Sequence, residues 1–201
     1  MKNYKKTNKL MFLLFIIVFI ALLSFWQETS NLWAQGVHSF RKALPDTGQT
    51  TVYSSGDDAS YIKPNPQMAY IDNGNGTVTD KYTGLMWKKC SEPDTTTDCS
   101  GTHSAYPWAD AITQCENLTY AGYSDWRLPN MKELFSLIKF EGSGPYIDTT
   151  YFPSTLSGYY WTSTIYAPNT TYAMYVNFYS GDVTNNGKIY SGYVLCVRAG
   201  P

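Results

Sequence analysis

The chain has 201 residues, 43% of them hydrophobic and 16% aromatic, and 15 Lys+Arg against 16 Asp+Glu give a formal net charge of −1. That balance supplies no net field to draw in nucleic acid. Two histidines leave little material for a catalytic triad.

At the start, Lys2, Lys5, Lys6 and Lys9 precede an uncharged apolar run from Leu10 to Trp26. This is the order of a signal peptide, and Ala34 in Leu32-Trp33-Ala34 offers a cleavage point. An uncleaved N-terminal anchor is the alternative, because the run is near the lower length limit for spanning a bilayer. Either way the expectation is export to the periplasm, the outer surface or the medium, with residues 1–34 as leader. The leader holds four Lys and one Glu, so the remaining 167 residues carry 11 basic and 15 acidic side chains, a net of −4. Only Lys88-Lys89 forms a basic cluster, which again argues against nucleic acid. Membrane contact is expected only through an uncleaved leader.

Residues 35–66 read as a polar lead-in with Pro45, Gly48, Gly56, Pro64 and Pro66, and TTVYSS as its one strand-like run. Leu44 to Gly48 spells the sortase motif LPDTG, but at the wrong end of the chain, and reads as a turn. The domain proper spans residues 67–201. AYIDNGNGTVTD predicts a hairpin and TGLMWKK a third strand. A calcium loop from Asp72 to Asp80 fails on spacing, since Gly74 and Gly76 stand where ligands should be.

The cysteines are Cys90, Cys99, Cys115 and Cys196, an even count that in an oxidising compartment predicts two disulfides. Three pairings are open. The polar insert SEPDTTTD suits a local closure of Cys90 on Cys99, which would leave Cys115 for Cys196. A zinc site lacks a C-x-x-C pair, and neither His38 nor His103 stands at a ligand spacing. No metal and no cofactor are expected.

Two helices follow. Pro107 suits a first helical turn, and Trp108, Ile112, Cys115 and Leu118 recur on one face. Asn130 with Glu133 predicts a capping box, and Met131, Leu134, Phe135, Leu137 and Ile138 a buried stripe. Between these helices, Asp125 and Arg127 read as a structural ion pair and His103 as a solvated loop residue, so no catalytic group is expected. From Ser157 the pattern turns to short strands: YYWTSTIY, then Tyr172 to Tyr179, then YVLCVRAG, with turns at Gly181-Asp182 and Asn186-Gly187.

The blocks GNGTVTDKYTGLMW, GYSDWRLPNMKEL, YYWTST and YSGYVLCVR, with a Trp-containing helix after the first, resemble the bacterial Lcl C-terminal domain family. That domain ends a collagen-like adhesin, and the resemblance covers about residues 44–200. It implies a distantly C-type-lectin-like α+β fold: two helices packed on small twisted antiparallel sheets, a long loop region, and a disulfide from the first helix to the last strand. Cys115 and Cys196 are placed for that bridge. Adhesion is implied only as a class. The adhesin domain is associated with sulfated glycosaminoglycans through basic residues, whereas this chain is acidic. The calcium-binding signatures of C-type lectins are absent, and Glu92-Pro93-Asp94 sits instead in the Cys90–Cys99 loop. Formylglycine-generating enzymes share a related fold and supply the enzyme alternative, but they need closely spaced reactive cysteines that Cys196 lacks.

Between Gly158 and Tyr193 there are eight Tyr and four Asn, and only Asp182 and Lys188 are charged. Tyr gives contact area at small entropic cost, and Asn, Ser and Gly adapt their hydrogen bonds, as in antibody loops. The expected ligand-binding residues are Tyr166, Asn169, Tyr172, Tyr175, Asn177, Tyr179, Asp182, Asn185, Asn186, Lys188 and Tyr190. Strand alternation puts Met174, Val176 and Phe178 on one face and Tyr175, Asn177 and Tyr179 on the other. The expected partner is a glycan or a surface protein; a homo-oligomer using the tyrosine face is the alternative.

Overall fold

The computed structural model describes residues 69–200 together with 49, 51–55, 57 and 59, all within the unit Leu44–Pro201. The expected leader, the LPDTG turn and most of the lead-in lie outside the described residues. Strands β1 (Tyr70–Asp72) and β2 (Thr77–Asp80) form the hairpin, with Ile71 opposite Thr79. Its turn is held by the Asp72 carboxylate, which accepts the Gly74 N–H at 2.9 Å. Gly76 adopts φ 81°, and a Cβ there would stand 1.8 Å from the Tyr120 hydroxyl oxygen, so both conformation and space require glycine. Strand β3 (Leu85–Lys88) pairs with β2 on one side and with the terminal β7 (Val197–Ala199) on the other. The first sheet therefore has the order β1-β2-β3-β7 and joins the two ends of the domain.

The second sheet, β4 (Tyr159–Ile165), β5 (Tyr172–Asn177) and β6 (Asp182–Gly187), is also antiparallel. The turn expected at Asn186-Gly187 is corrected, because both residues end β6, opposite Ala173 and Tyr172. Asn and Gly are poor strand formers, but pairing along all six residues of β5 overrides that preference. The chain turns one step later, where the Tyr190 N–H reaches the Gly187 carbonyl. Only three residues of YVLCVRAG are strand. Ahead of them, Tyr193 bridges Tyr160 and the Cys196 carbonyl accepts the Lys88 N–H, so this stretch connects the two sheets.

Helix α1 (Trp108–Glu116) packs against β4, with Ala111 and Cys115 buried at the centre of its inward face. Pro107 stands just outside the helix, with extended backbone, and its carbonyl accepts the Ala111 N–H. Helix α2 (Met131–Phe135) begins with the full capping box, Asn130 and Glu133 satisfying each other's backbone N–H groups. It is shorter than its apolar stripe. Leu137 and Ile138 follow in tight i to i−3 turns and are still buried.

Two apolar clusters share the second sheet. Leu134, Leu137 and Ile138 meet Tyr160, Val176 and Phe178 on one face, with Trp87, Phe152 and Leu195. Ala111 and Cys115 meet Trp161, Ala173 and Tyr175 on the other. The architecture is α+β, with two helices, two small antiparallel sheets and two disulfides. Among the described residues no helix is long and apolar enough to cross a membrane.

Cys90–Cys99 closes nine residues with Cα atoms 5.2 Å apart, and Cys115–Cys196 spans 81 residues at 5.5 Å. Chain-entropy arithmetic makes the long bridge worth up to about 4.5 kcal/mol and the short one about 2.7 kcal/mol. Cys115→Ala with Cys196→Ala should therefore lower stability clearly more than Cys90→Ala with Cys99→Ala, measured by urea denaturation at neutral pH.

Candidate functional site

The expected binding residues separate into two groups at opposite ends of the second sheet. Tyr172 and Asn177 lie about 17 Å apart along β5 at the usual rise per residue. At the Tyr172 end stand Tyr166, Asn169, Asn185, Asn186, Lys188 and Tyr190. Two of these serve the local backbone. The Asn169 carboxamide oxygen takes the Thr171 N–H and hydroxyl at 3.1 and 2.7 Å, and that of Asn186 takes the Gly187 N–H. Lys188 lies with Nζ 4.1 Å from the centre of the Trp108 ring, a cation–π contact. Tyr166, Tyr172 and Asn185 are half-buried.

At the other end, Tyr159 of β4, Asn177 of β5 and Asp182 of β6 stand side by side on one face, with Tyr175 and Thr184 as the next row. The expectation that Tyr175 and Asn177 are surface residues is corrected, since they are only 8% and 6% exposed. As the middle strand, β5 is covered on both faces, by the α2 cluster and by the α1 cluster. Tyr175 is held between the rings of Tyr159 at 4.5 Å and Trp161 at 5.4 Å. Burial pushes its hydroxyl above the usual tyrosine range, and the nearby Tyr159 and Asp182 push it further. Tyr179 falls past the end of β5 and turns outward, its N–H bonded to the Asn177 carboxamide oxygen at 3.0 Å.

Tyr159 is the residue that sequence reasoning missed, an exposed ring lying on the buried Tyr175. Its signal was its place at the mouth of a strand, just after Ser157-Gly158. Beside it, a hydrogen-bonded chain runs from the Asn177 amide to the Ser180 hydroxyl and on to the Asp182 carboxylate. An exposed ring next to fixed amide, hydroxyl and carboxylate groups can stack against one face of a ligand and hydrogen-bond its edge.

A second polar cluster was not anticipated. Lys88, read above as part of a basic surface cluster, is fully buried. Its Nζ lies 3.1 Å from the Glu92 carboxylate and 3.1 Å from the Cys90 carbonyl, and it also bonds the Asp94 carbonyl. The pattern LMWKK hid this, because Lys88 continues the inward run of β3 while Lys89 turns out to Asp72 at 2.7 Å. Burial pulls the Lys88 ammonium below the usual lysine range and pushes the Glu92 carboxyl up, and their mutual attraction offsets only part of this. Asp94 accepts the N–H groups of Thr96 and Gly101. Glu92 and Asp94 are thus buried scaffolding on either side of the exposed Pro93, and among the described residues no group of three or more His, Cys, Asp or Glu could hold a metal ion.

Asp125 and Arg127 are each ion-paired, but not to each other. Arg127 makes a two-pronged pair with Glu133 at 2.7 and 2.8 Å, and Asp125 takes Arg198 at 2.6 and 3.1 Å. The capping box places Glu133, and the Arg127–Val197 bridge brings Arg198 alongside. Burial alone would raise the Glu133 carboxyl, but Arg127 and the Asn130 N–H together hold it below the usual range. His103, expected in solvent, is half-buried with Nδ1 enclosed and without a hydrogen-bond partner. Its loop is pulled inward where the Ser104 N–H meets the Glu92 carbonyl.

These features define a cystine-stapled α+β domain with a polar interior and an exposed ring, Tyr159, at one end of its second sheet. The family model of the Lcl C-terminal domain matches residues 76–198, from the start of β2 into β7 and across both disulfides. The chain belongs to the Lcl C-terminal domain family. No curated protein matches it.

Removing one partner of a buried ion pair costs about 3–5 kcal/mol, because the other charge is left unpaired. Lys88→Met and Glu92→Leu should each fall in that range by chemical denaturation. The double variant should lose clearly less than the sum of the two. Glu133 contributes stability above the ordinary carboxylate range, which is lost as pH falls through its lowered value. Glu133→Gln should therefore be about 1 kcal/mol less stable at pH 7, a modest figure because Arg127 is 43% exposed, and should lose less stability on titration from about pH 5 to pH 2.

Proposed function

We propose that the chain is an exported, non-enzymatic recognition module of C-type-lectin-like design that holds a glycan at the Tyr159 edge of its second sheet. One observation carries this reading: Tyr159 is 47% exposed while the Tyr175 ring it lies on is only 8% exposed. The platform is thus fixed before a ligand arrives, and little side-chain freedom is left to lose on binding. Asn177, Ser180 and Asp182 add polar groups at the edge of that ring. Sugar rings present C–H faces with hydroxyls around them, the chemistry this arrangement complements.

Export is supported by the basic and apolar order of the leader and by two cystines, which persist in oxidising compartments. Against chemistry of the formylglycine-generating type, all four cysteines are held in disulfides, with Cys196 fully buried. A second reading, assembly through a homo-oligomer, is favoured by Ile189 and Tyr190, which are 82% and 56% exposed near the other end of the sheet.

Two substitutions separate these readings. Tyr159→Ala should abolish binding on a glycan array while leaving the elution volume in size-exclusion chromatography unchanged. Ile189→Asp should leave glycan binding intact. Unchanged array binding by the Tyr159 variant, with a smaller particle for the Ile189 variant, would favour assembly.

A further inference from the structure

The charge around the Tyr159 edge narrows the ligand. Asp182 is exposed and forms no ion pair among the described residues. One of its oxygens accepts the Ser180 hydroxyl, which itself accepts the Asn177 amide, so the carboxylate is oriented. The other charge of this region, Lys188, stands at the far end of the sheet over Trp108. Elsewhere Lys88, Lys89, Arg127 and Arg198 are all engaged with carboxylates, and Lys81, Lys132 and Lys139 stand singly, without an ion pair among the described residues. An anionic polymer would meet an oriented negative charge at the ring's edge.

We infer that Asp182 makes this site selective for amino-bearing glycans: one sugar ring stacks on Tyr159, and an ammonium group of the same chain meets the Asp182 carboxylate. The inference rests on the glycan reading above and adds the class of sugar. Tyr159 and Asp182 flank Asn177 in the cross-strand register, so they stand two strand spacings apart, about 9.6 Å. The ring and the charge therefore meet different parts of one oligosaccharide. An ammonium adds the attraction of a full positive charge to its hydrogen bond with the pre-oriented carboxylate, whereas the amide N–H of an N-acetylated sugar is only a neutral donor.

Isothermal titration calorimetry on the intact purified protein tests this with a glucosamine oligomer, its fully N-acetylated counterpart and heparin. The glucosamine oligomer should bind about tenfold tighter than the acetylated one at low salt, with the preference shrinking as salt is added. Asp182→Asn should remove that preference by weakening the glucosamine oligomer about tenfold more than the acetylated one, with the melting temperature unchanged. Tyr159→Ala should weaken both oligomers. Equal affinity for the two oligomers, or tighter binding of heparin, would overturn the inference; if Tyr159→Ala still weakened binding, the glycan reading would stand. Absence of binding to all three, confirmed on a broad glycan array, would overturn both.

Discussion

A single buried ammonium organises the middle of this domain. Lys88 Nζ has no access to water and must find its partners inside, where an unpaired charge costs several kcal/mol. It finds the Glu92 carboxylate and the carbonyls of Cys90 and Asp94, which obliges the chain to fold back around it within six residues. Cys90–Cys99 then locks that loop, and the Asp94 carboxylate ties its far side at Thr96 and Gly101. Glu92 also touches Cys196 Sγ at 3.5 Å, so the same pair lies against the cystine that anchors β7 to α1. The Tyr120 ring, 5.3 Å from the ammonium, reaches out to the glycine turn of the first hairpin. Both disulfides and the hairpin thus converge on one charge that nearby carboxylate and carbonyl groups satisfy.

The second sheet is positioned by this centre and not by its own edges. Trp161 donates from its indole to the Tyr106 carbonyl, and Tyr106 in turn pairs with Gly192 on the approach to the buried stretch from Val194 to Val197. Tyr160 sends its hydroxyl to Ser91, beside Glu92, and burial pushes that hydroxyl up to about 12. With both faces of β5 packed, the parts of the sheet open to a ligand are its ends and the outer edge at β6. Of the two ends, the one near Tyr172 commits the Asn169 and Asn186 carboxamide oxygens to local backbone N–H groups, while the Tyr159 end sets an amide, a hydroxyl and a carboxylate in one hydrogen-bonded chain beside an exposed ring.

Local rules in the sequence accounted for what local physics controls. The hairpin follows from an Asp-Asn-Gly turn, the start of α2 from its capping box, and the strand-rich tail from its alternation. Where packing decides what is buried, the sequence was silent or misleading. Lys88 looked like half of a surface cluster because nothing nearby in the chain announces a buried charge; its partner lies four residues on, in what reads as a polar insert. The Asn-Gly pair at 186–187 looked like a turn because its strand character comes from β5 alone. Alternation correctly divided Tyr175 from Val176, but it cannot say what covers each side, and here both sides are covered.

That last point explains why the candidate site moved by one strand. In a sheet with one open face, alternation marks the binding surface; in a sheet packed on both faces, side chains in mid-strand are core whichever way they point. Exposure then belongs to residues at strand ends, such as Tyr159, and just beyond them, such as Tyr179 and Ile189. Such residues do not contribute to either cystine or to the Lys88 pair. Substitutions well separated from a packed network tend to add independently to it, so the contact surface can change its chemistry while the scaffold keeps its stability. A domain built this way can keep one fold while its edge varies, and the acidic edge here is what such a separation permits.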